Sequence, residues 1–219
     1  MRELVLIWGA GGHGKVVADL VRAAGHSVAG YADVDQTKWG TVAEPGGATV
    51  VISEADLVQL LDHGGSLPCR ATAIALALGD NDTRLLSAKR AARALMPALI
   101  HPAATVSDSA QLGAGTVVFA GAVVNAAAVI GSAAIINTAA VVEHDCTVGD
   151  GAHIAPGAML TGGVSVGQST LVGARAVVLP GVTIEADALI GAGSVVVGDV
   201  RAGMVVAGVP ARVLRQRVT

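Results

Sequence analysis

Aromatic side chains are almost missing from this chain of 219 residues, which has two tryptophans, one tyrosine and one phenylalanine. Apolar residues nevertheless make up 53% of the sequence, so any core has to be built from valine, isoleucine, leucine and alanine. Glycine is abundant, with 29 residues against 7 prolines, and this mixture of small and β-branched residues indicates short strands joined by tight turns. The high apolar content and low charge exclude an intrinsically disordered chain.

Other classes of protein are excluded by what the sequence has little of. The formal net charge is −3, and a chain with no basic stripe and few stacking aromatics is not expected to bind nucleic acid. No apolar run approaches the roughly 20 residues of a transmembrane helix, and from residues 1–4 we expect no secretory signal. There are only two cysteines, and they lack the spacing of a metal site. We therefore expect reduced thiols and a cytoplasmic protein. We also expect no membrane partner, because no transmembrane run is present.

Residues 1–98 alternate between strand-like and helix-like patterns. The apolar spacing predicts strands at 4–8, 26–31, 48–53 and 71–78, and helices at 15–24, 54–62 and 81–96. Asn81 and the two residues after it are expected to cap the last helix. This order of elements predicts an α/β domain with a small parallel sheet.

From Ile100 to Val196 an aliphatic residue recurs at every sixth position, in 17 consecutive hexads. A small or β-branched residue follows each of them four positions later, as in Ala104, Ala140 and Cys146. Two inward residues in each period of six predict a parallel β-helix with flat faces. Three hexads make a coil of about 18 residues, so the 17 hexads form a little under six coils. We therefore expect residues 99–219 to form a second, all-β domain that ends in a C-terminal cap.

A glycine-rich turn separates the first predicted strand from the first predicted helix. Gly9, Gly11 and Gly14 fit the pattern G-x-G-x-x-G, and Asp33 follows the last glycine by nineteen residues. The pattern is typical of phosphate binding at the N-terminus of a helix. An NAD site is not expected, because the domain is half the size of a full dinucleotide fold and no hydride-transfer site follows it.

Motifs along nearly the whole chain resemble those of the NeuD/PglD-type sugar acyltransferases. They are GAGGHGKV at 9–16, GYAD at 30–33, LGDNDTR at 78–84, IHPA at 100–103, INTAAVVEHDC at 136–146 and GVPAR at 208–212. The resemblance implies a Rossmann-like sugar-nucleotide domain followed by a left-handed β-helix of hexapeptide repeats. It also implies a homotrimer that binds acetyl-CoA between adjacent β-helices. Members N-acetylate amino sugars on nucleotide carriers or O-acetylate sialic acid.

The resemblance assigns the glycine-rich turn to the diphosphate of a sugar nucleotide. The residues expected to bind this substrate are Gly11, Gly12, His13, Gly14 and Lys15, with Asp33 accepting hydrogen bonds from the ribose or the base. For His13 and Lys15 the alternative is simple packing and solvation at the start of the helix. Many family members carry consecutive acidic residues here, whereas this chain has Asp33-Val34-Asp35, so the resemblance leaves base recognition open.

A base is needed to take a proton from the attacking amine, and a histidine held by a carboxylate suits that task. His144, flanked by Glu143 and Asp145, is the candidate, and the resemblance favours Asp145 as the group that orients it. His144 is the third residue of its hexad, a turn position, so its side chain should point outward. The alternative interpretation is a solvated turn histidine.

Acetyl-CoA is expected to contact residues of the β-helix near this histidine. Gly162 lies 18 residues after His144 and should stack one coil above it, which leaves room for the acyl group and points an N–H at the developing oxyanion. The alternative is a glycine needed only for a positive φ. The resemblance places His153 against the thioester region of acetyl-CoA and Asn137 in the lining of the active site. The alternatives are an ordinary surface histidine and an asparagine ladder that stabilises the turns of the β-helix. Residues at later turns are expected to line the pantetheine channel, unless they are generic turn residues: Gly173, Ala174, Gly191 and Ala192.

The function predicted from these features is acetyl-CoA-dependent N-acetylation of an amino sugar linked to UDP or GDP. The alternatives are an O-acetyltransferase for sialic acid or another sugar, and a non-catalytic scaffold in which the β-helix only forms trimers. A zinc site like that of the γ-type carbonic anhydrases needs three converging histidines. It is not expected here, because His101 lies more than two coils from His144 and His153.

Overall fold

Four short apolar runs in the first part of the chain pair as parallel strands of one sheet. The computed structural model describes residues 2–43 and 47–217, which divide into two units, Met1–Leu99 and Ile100–Thr219. Over the described residues of the first unit, the sheet has the order β3-β2-β1-β4. Its strands are β1 (Leu4–Trp8), β2 (Ser27–Asp33), β3 (Val50–Ser53) and β4 (Ala73–Leu76), and the α-helices are α1 (Gly12–Ala23), α2 (Glu54–Asp62) and α3 (Asn81–Arg90).

Strand β1 lies at the centre of this unit. Its residues from Val5 to Trp8 are at most 1% exposed, as expected of a parallel strand that is covered on both faces. The carboxyl ends of β1 and β2 meet at one edge of the sheet, where Trp8 pairs with Ala32. Ligands of open α/β sheets bind at this kind of edge, and the glycine-rich turn and Asp33 both lie there.

The predicted bounds of β1 and α2 agree with the structure, but the prediction for α3 is partly wrong. The helix ends at Arg90 and not at residue 96, and its N-cap is Asp80, whose carboxylate accepts a hydrogen bond from the Thr83 N–H at 2.8 Å. After a short 3₁₀ turn the chain becomes extended, and the Ile74 N–H donates to the Leu95 carbonyl at 2.9 Å. Pairing with β4 therefore overrides the helical propensity of this alanine-rich segment.

The second part of the chain confirms the hexapeptide periodicity. Over the described residues 99–196, 17 two-residue strands follow one another, and the second residue of each is the predicted aliphatic one. In chain order, β5 to β21 are Leu99–Ile100, Thr105–Val106, Gln111–Leu112, Val117–Val118, Val123–Val124, Val129–Ile130, Ile135–Ile136, Val141–Val142, Thr147–Val148, His153–Ile154, Met159–Leu160, Ser165–Val166, Leu171–Val172, Val177–Val178, Thr183–Ile184, Leu189–Ile190 and Val195–Val196.

These strands form the three flat faces of a left-handed parallel β-helix. Each strand pairs in parallel with the strand one coil away, as Ile135 does with His153. In the described part of the chain, the six-stranded face contains β6, β9, β12, β15, β18 and β21, and the five-stranded face contains β7, β10, β13, β16 and β19. The eight-stranded face contains β5, β8, β11, β14, β17 and β20, followed by β22 (Met204–Gly208) and the antiparallel β23 (Ala211–Gln216).

The interior of the β-helix is narrow and filled with aliphatic residues. The small position of each hexad points inward with the aliphatic one, and Ala140, Cys146 and Ala152 are all fully buried. At the corners the fourth residue of the hexad has a positive φ, even where it is not glycine, as at Ala127 and Asp145. Because only two side chains of each hexad enter the core, the third residue of the hexad lies outside it.

Among the helices of residues 2–43 and 47–217, none has the length and the apolar character that a membrane span requires.

Candidate functional site

The corner that follows β12 carries the predicted catalytic residues. Asp145 has φ +59° and its N–H donates to the Ala126 carbonyl of one neighbouring coil at 3.1 Å, while the Gly163 N–H of the other donates to the His144 carbonyl at 2.9 Å. The backbone is thus fixed from both sides. The side chains of His144 and Asp145 are 63% and 68% exposed, so the imidazole points outward, as predicted.

The imidazole of His144 is held in one orientation by Asp145. Its Nδ1 lies 2.7 Å from Asp145 Oδ2, and since a carboxylate accepts, Nδ1–H is the donor and Nε2 keeps its lone pair. The hydrogen bond to Asp145, together with the negative charges of Asp145 and Glu143, raises the pKa of His144 above its ordinary value. Glu143 also accepts a hydrogen bond from the His144 N–H at 3.3 Å. This arrangement suits a general base.

Gly162 lies directly against this imidazole, as the period of 18 residues predicted. A Cβ at position 162 would come within 2.7 Å of both Cε1 and Nε2 of His144. The positive φ of this corner belongs to Gly163, at +69°, and not to Gly162. Gly162 is therefore a glycine because the ring occupies the space of its side chain, and the alternative based on φ does not apply to it.

Asn137 and His153 form a second pair on the β-helix. The Asn137 side-chain oxygen accepts from the Thr138 N–H at 2.8 Å, so its amide nitrogen donates to His153 Nε2 at 3.0 Å. His153 Nε2 accepts this bond, which requires a neutral ring. Asn137 follows β11 and His153 begins β14, so both belong to the eight-stranded face, whereas His144 follows β12 of the six-stranded face. Within one chain, the predicted residues thus form two groups at different corners.

The glycines predicted to line the pantetheine channel have a structural reason of their own. A Cβ on Gly173 would lie 2.5 Å from the Ile190 carbonyl oxygen, and one on Gly191 would lie 2.7 Å from Ala207 Cβ. Close stacking of coils therefore accounts for both glycines. Their contact with CoA, like that of Ala174 and Ala192, stays a prediction.

At the edge of the first unit, the glycines of the turn divide into two kinds. A Cβ on Gly9 would lie 2.7 Å from the Ala77 carbonyl oxygen, and one on Gly14 would collide with the Gly9 carbonyl oxygen. These two glycines allow the backbone to pack closely. Gly11 and Gly12 face open space, with nothing within 4 Å of a Cβ, so their backbone is accessible to a ligand.

An open cleft of about 270 Å³ lies above Gly11 and Gly12. Lys15 lines it, and its contact with the substrate stays a prediction. Lys38 and Thr41 line the cleft as well, and the sequence pattern did not indicate them. Two ammonium groups and accessible backbone N–H groups at the start of a helix suit a diphosphate. The residue that could have indicated this position of Lys38 is Asp35. Its carboxylate caps the short 3₁₀ turn Gln36–Lys38 by accepting a hydrogen bond from the Thr37 N–H at 3.0 Å. That turn brings Lys38 back towards Asp33.

Asp33 connects the elements around this cleft. Its Oδ2 accepts from the Ala10 N–H at 2.6 Å, and its Oδ1 accepts from the Asp35 N–H at 2.8 Å and from Lys38 Nζ at 3.2 Å. Burial alone would raise the pKa of Asp33, but these hydrogen bonds and the Lys38 ammonium hold that pKa below its ordinary value. The carboxylate therefore stabilises the loops, and its predicted contact with the nucleotide stays a prediction.

His13 and the LGDNDTR motif lie at the base of the same turn. Burial, with the nearby charge of Arg84, lowers the pKa of His13 to about 4, so this ring is neutral near pH 7. Arg84 is only 1% exposed, and its guanidinium donates to the Leu78 carbonyl at 2.9 Å and to Asn81 Oδ1 at 2.8 Å. Burial lowers the pKa of Arg84 to about 10. The motif thus supports the loop after β4.

Comparisons with known proteins match both units of the chain. The PglD N-terminal domain family matches residues 4–91, and the bacterial transferase hexapeptide (six repeats) family matches residues 127–162 and 163–198. The search of curated proteins finds no match. Over the described residues, no group of three His, Cys, Asp or Glu side chains is arranged to hold a metal ion.

Solved structures match over almost the full length. The acetyltransferase domain of PglB from Neisseria gonorrhoeae is 39% identical, with a TM-score of 0.85 over 97% of this chain and 100% of that one. A histidine-to-asparagine mutant of perosamine N-acetyltransferase from Caulobacter crescentus, in complex with CoA and GDP-perosamine, is 41% identical, with a TM-score of 0.85 over 97% of both chains. WeeI from Acinetobacter baumannii, 21% identical over 96% of this chain and 99% of that one, with a TM-score of 0.65, shares the fold.

Replacing Asp145 with asparagine is expected to lower the pKa of His144. The carboxylate stabilises the imidazolium, so without it the ring loses its proton at a lower pH. NMR titration of the imidazole protons measures this shift. Glu143→Gln is the matched control, because it removes a neighbouring charge but keeps the hydrogen bond to Nδ1, and it should lower the pKa less. An unchanged His144 pKa in Asp145→Asn would contradict the assigned role of Asp145.

Proposed function

Because the chain belongs to the NeuD/PglD-type sugar acyltransferases, we propose that it N-acetylates an amino sugar carried by a nucleoside diphosphate. It is an acyltransferase with acetyl-CoA as its co-substrate. The observation that carries the proposal is the oriented His144–Asp145 pair, with Nε2 open beside Gly162. We also propose that the protein is cytoplasmic, as its sequence predicts.

His144 would act as the base in acyl transfer. The sugar amine attacks the thioester carbonyl, and Nε2 takes the proton that the nitrogen loses as the new C–N bond forms. Asp145 stabilises the resulting imidazolium. Collapse of the tetrahedral intermediate breaks the C–S bond, and the proton on Nε2 passes to the departing CoA thiolate. His144 is then neutral again and ready for the next turnover.

Gly162 supports this chemistry in two ways. It leaves the space into which an acetyl group can enter beside the ring. In addition, no described residue accepts a hydrogen bond from the Gly162 N–H, so this donor can point at the oxygen that becomes negative in the transition state. The oxyanion contact is a proposal that rests on these two features.

The substrate would be anchored through its diphosphate in the cleft of the first unit. Gly11 and Gly12 offer backbone N–H groups, and Lys15 and Lys38 offer positive charge. His13 would contribute only as a neutral group, because of its low pKa. A negatively charged substrate with two phosphates is the kind of ligand that this cleft fits.

We also propose a homotrimer, which the outward residues of the β-helix support. On the six-stranded face, the outward residue of the strands is aliphatic or Met in five consecutive coils and not fully buried: Val123, Val141, Met159, Val177 and Val195. On the five-stranded face the corresponding residues are mostly polar: Gln111, Val129, Thr147, Ser165 and Thr183. An apolar stripe that adjoins the His144 corner is suited to contact another copy of the chain.

The trimer would complete the active site. A ring of three copies uses two different patches of each chain, and the chain carries its site residues in two groups at different corners. Contact between the His144 corner of one copy and the Asn137–His153 pair of the next would bring the two groups together around the thioester of acetyl-CoA.

His144→Ala is expected to lower kcat by about 10²–10⁴-fold, because it removes the general base. CoA binding, measured by calorimetry, should be retained. The assay follows free thiol released from acetyl-CoA with a panel of UDP- and GDP-linked amino sugars and with sialic acid as the hydroxyl acceptor. His101→Ala, more than two coils away, is the control and should keep wild-type rates. Unchanged turnover in His144→Ala would refute the base, and a chain active on no acceptor would favour the scaffold.

Gly162→Ala is expected to lower kcat/KM by at least about 10-fold, since the added methyl group displaces the imidazole from its position. The free energy of unfolding should change by only about 1 kcal/mol, because the ring is exposed and can rotate away. Gly163→Ala is the matched control. Its φ is positive, at +69°, but alanine occupies the same left-handed region, at +52° to +58°, at Ala127, Ala133 and Ala139, so the rate should be preserved. Full activity of Gly162→Ala would contradict the proposed placement of the ring.

Mixed trimers test whether two chains share each site. His144→Ala and His153→Ala should each be inactive alone. Trimers that contain both variants, isolated through two affinity tags, would have one intact site in three and so about one third of the wild-type rate. The control is a trimer of one variant only, made from two differently tagged copies and isolated through the same two affinity tags. It is prepared for each variant in turn. No recovery of activity in the mixed trimers would place both histidines in the same chain's site.

A further inference from the structure

Trp39 differs from the other aromatic residues of the chain. All four lie in the described ranges, and Trp8, Tyr31 and Phe119 are at most 2% exposed, whereas Trp39 is 40% exposed. Its indole is nevertheless fixed. The indole N–H donates to the Asp33 carbonyl at 3.1 Å, its backbone pairs with Val50, and the Gly40 N–H donates to the Val50 carbonyl at 3.0 Å. The chain thus presents a rigid aromatic face to solvent.

The position of Trp39 relates it to the proposed nucleotide cleft. Asp33 accepts the indole N–H at its carbonyl and the Ala10 N–H of the glycine-rich turn at its carboxylate. In α/β nucleotide sites the phosphates lie after β1, the ribose lies at the end of β2, and the base lies farther along. Trp39 follows β2 and pairs with β3, so it lies on the side of the sheet edge where a base would be.

There is room for a base beside the indole. An open cleft of about 500 Å³ is lined by Trp39, Gly40, Ile52, Ser53 and Asp56, among others. This cleft and the phosphate cleft share Val50 as a lining residue. The cleft beside Trp39 therefore adjoins the one over Gly11 and Gly12 at Val50, which is the position that a base would need.

The two acidic residues at and just after the end of β2, Asp33 and Asp35, are already engaged within the protein. The Asp33 carboxylate accepts from two backbone N–H groups and from Lys38. Asp35 accepts from the N–H and the hydroxyl of Thr37, at 3.0 and 2.7 Å. Both carboxylates hold the loop in place, so binding of the base requires another kind of contact.

We infer that Trp39 is the stacking platform for the nucleobase of the sugar-nucleotide substrate. The inference rests on the proposed function, because it presupposes a nucleotide in the cleft. Stacking on an indole accepts any base through its π face and contributes binding free energy without reading hydrogen-bonding groups. Trp39 is therefore a substrate-binding residue that acts on affinity and not on the chemical step.

The test uses the full chain and the nucleoside diphosphates GDP and UDP. Trp39→Ala should weaken their binding by about 10-fold or more, while the affinity for inorganic pyrophosphate stays the same. For the preferred acceptor, KM should rise by a similar factor with kcat unchanged. Val34→Ala, an exposed apolar residue of the same loop, is the matched control and should match the wild type. Wild-type affinity for GDP and UDP in Trp39→Ala would overturn the inference.

Tryptophan fluorescence gives a second readout that uses a milder change. The chain has only Trp8 and Trp39, so Trp39→Phe leaves the buried Trp8 as the sole tryptophan. GDP should quench the wild type and not Trp39→Phe, and equal quenching in both would overturn the inference. If GDP quenches Trp39 but no acceptor is acetylated, the proposed function fails and the platform stands. If acetylation proceeds and Trp39→Ala keeps the wild-type KM, the platform fails and the proposed function stands.

Discussion

The register of the β-helix is the constraint on which the rest of this structure depends. Each coil takes 18 residues, as in the pairing of Ile135 with His153, and only the first and fifth positions of a hexad point into the narrow interior. Polar residues at the turns are therefore placed outside, at fixed heights along the corners. His144 points outward for this reason, and Gly162 meets its ring because the two positions are one coil apart.

Repetition also explains which parts of the fold could be predicted. Each hexad imposes the same geometry as the one before, so the strands of the β-helix follow directly from the aliphatic positions. The first unit has no such period, and its non-local contacts decide the details. The end of α3 depends on the hydrogen bond between Ile74 and Leu95, which no local propensity contains. The glycine-rich turn was predictable, because Gly9 and Gly14 make close backbone contacts that their pattern encodes.

The residues of the candidate site also fall into those placed by the repeat and those placed by non-local contacts. His144, Asp145 and Gly162 could be predicted together, since adjacency and the coil period bring them into contact. Lys38, Thr41 and Trp39 could not, because they enter the cleft only when the segment after β2 folds back on Asp33. The engagement of Asp33 with Ala10, Asp35 and Lys38 could not be predicted either, because an acidic residue after a predicted strand suggests a ligand contact.

Two histidines of this chain show how the environment decides their chemistry. Burial lowers the pKa of His13 to about 4, while Asp145 raises that of the exposed His144. A raised pKa favours the protonated imidazole, and a protonated ring cannot accept a proton from the amine. In the proposed trimer a neighbouring copy would cover the His144 corner, and that burial would lower its pKa. Asp145 and the covering chain would then have opposite effects on the pKa of His144. The trimer would therefore set that pKa as well as complete the active site.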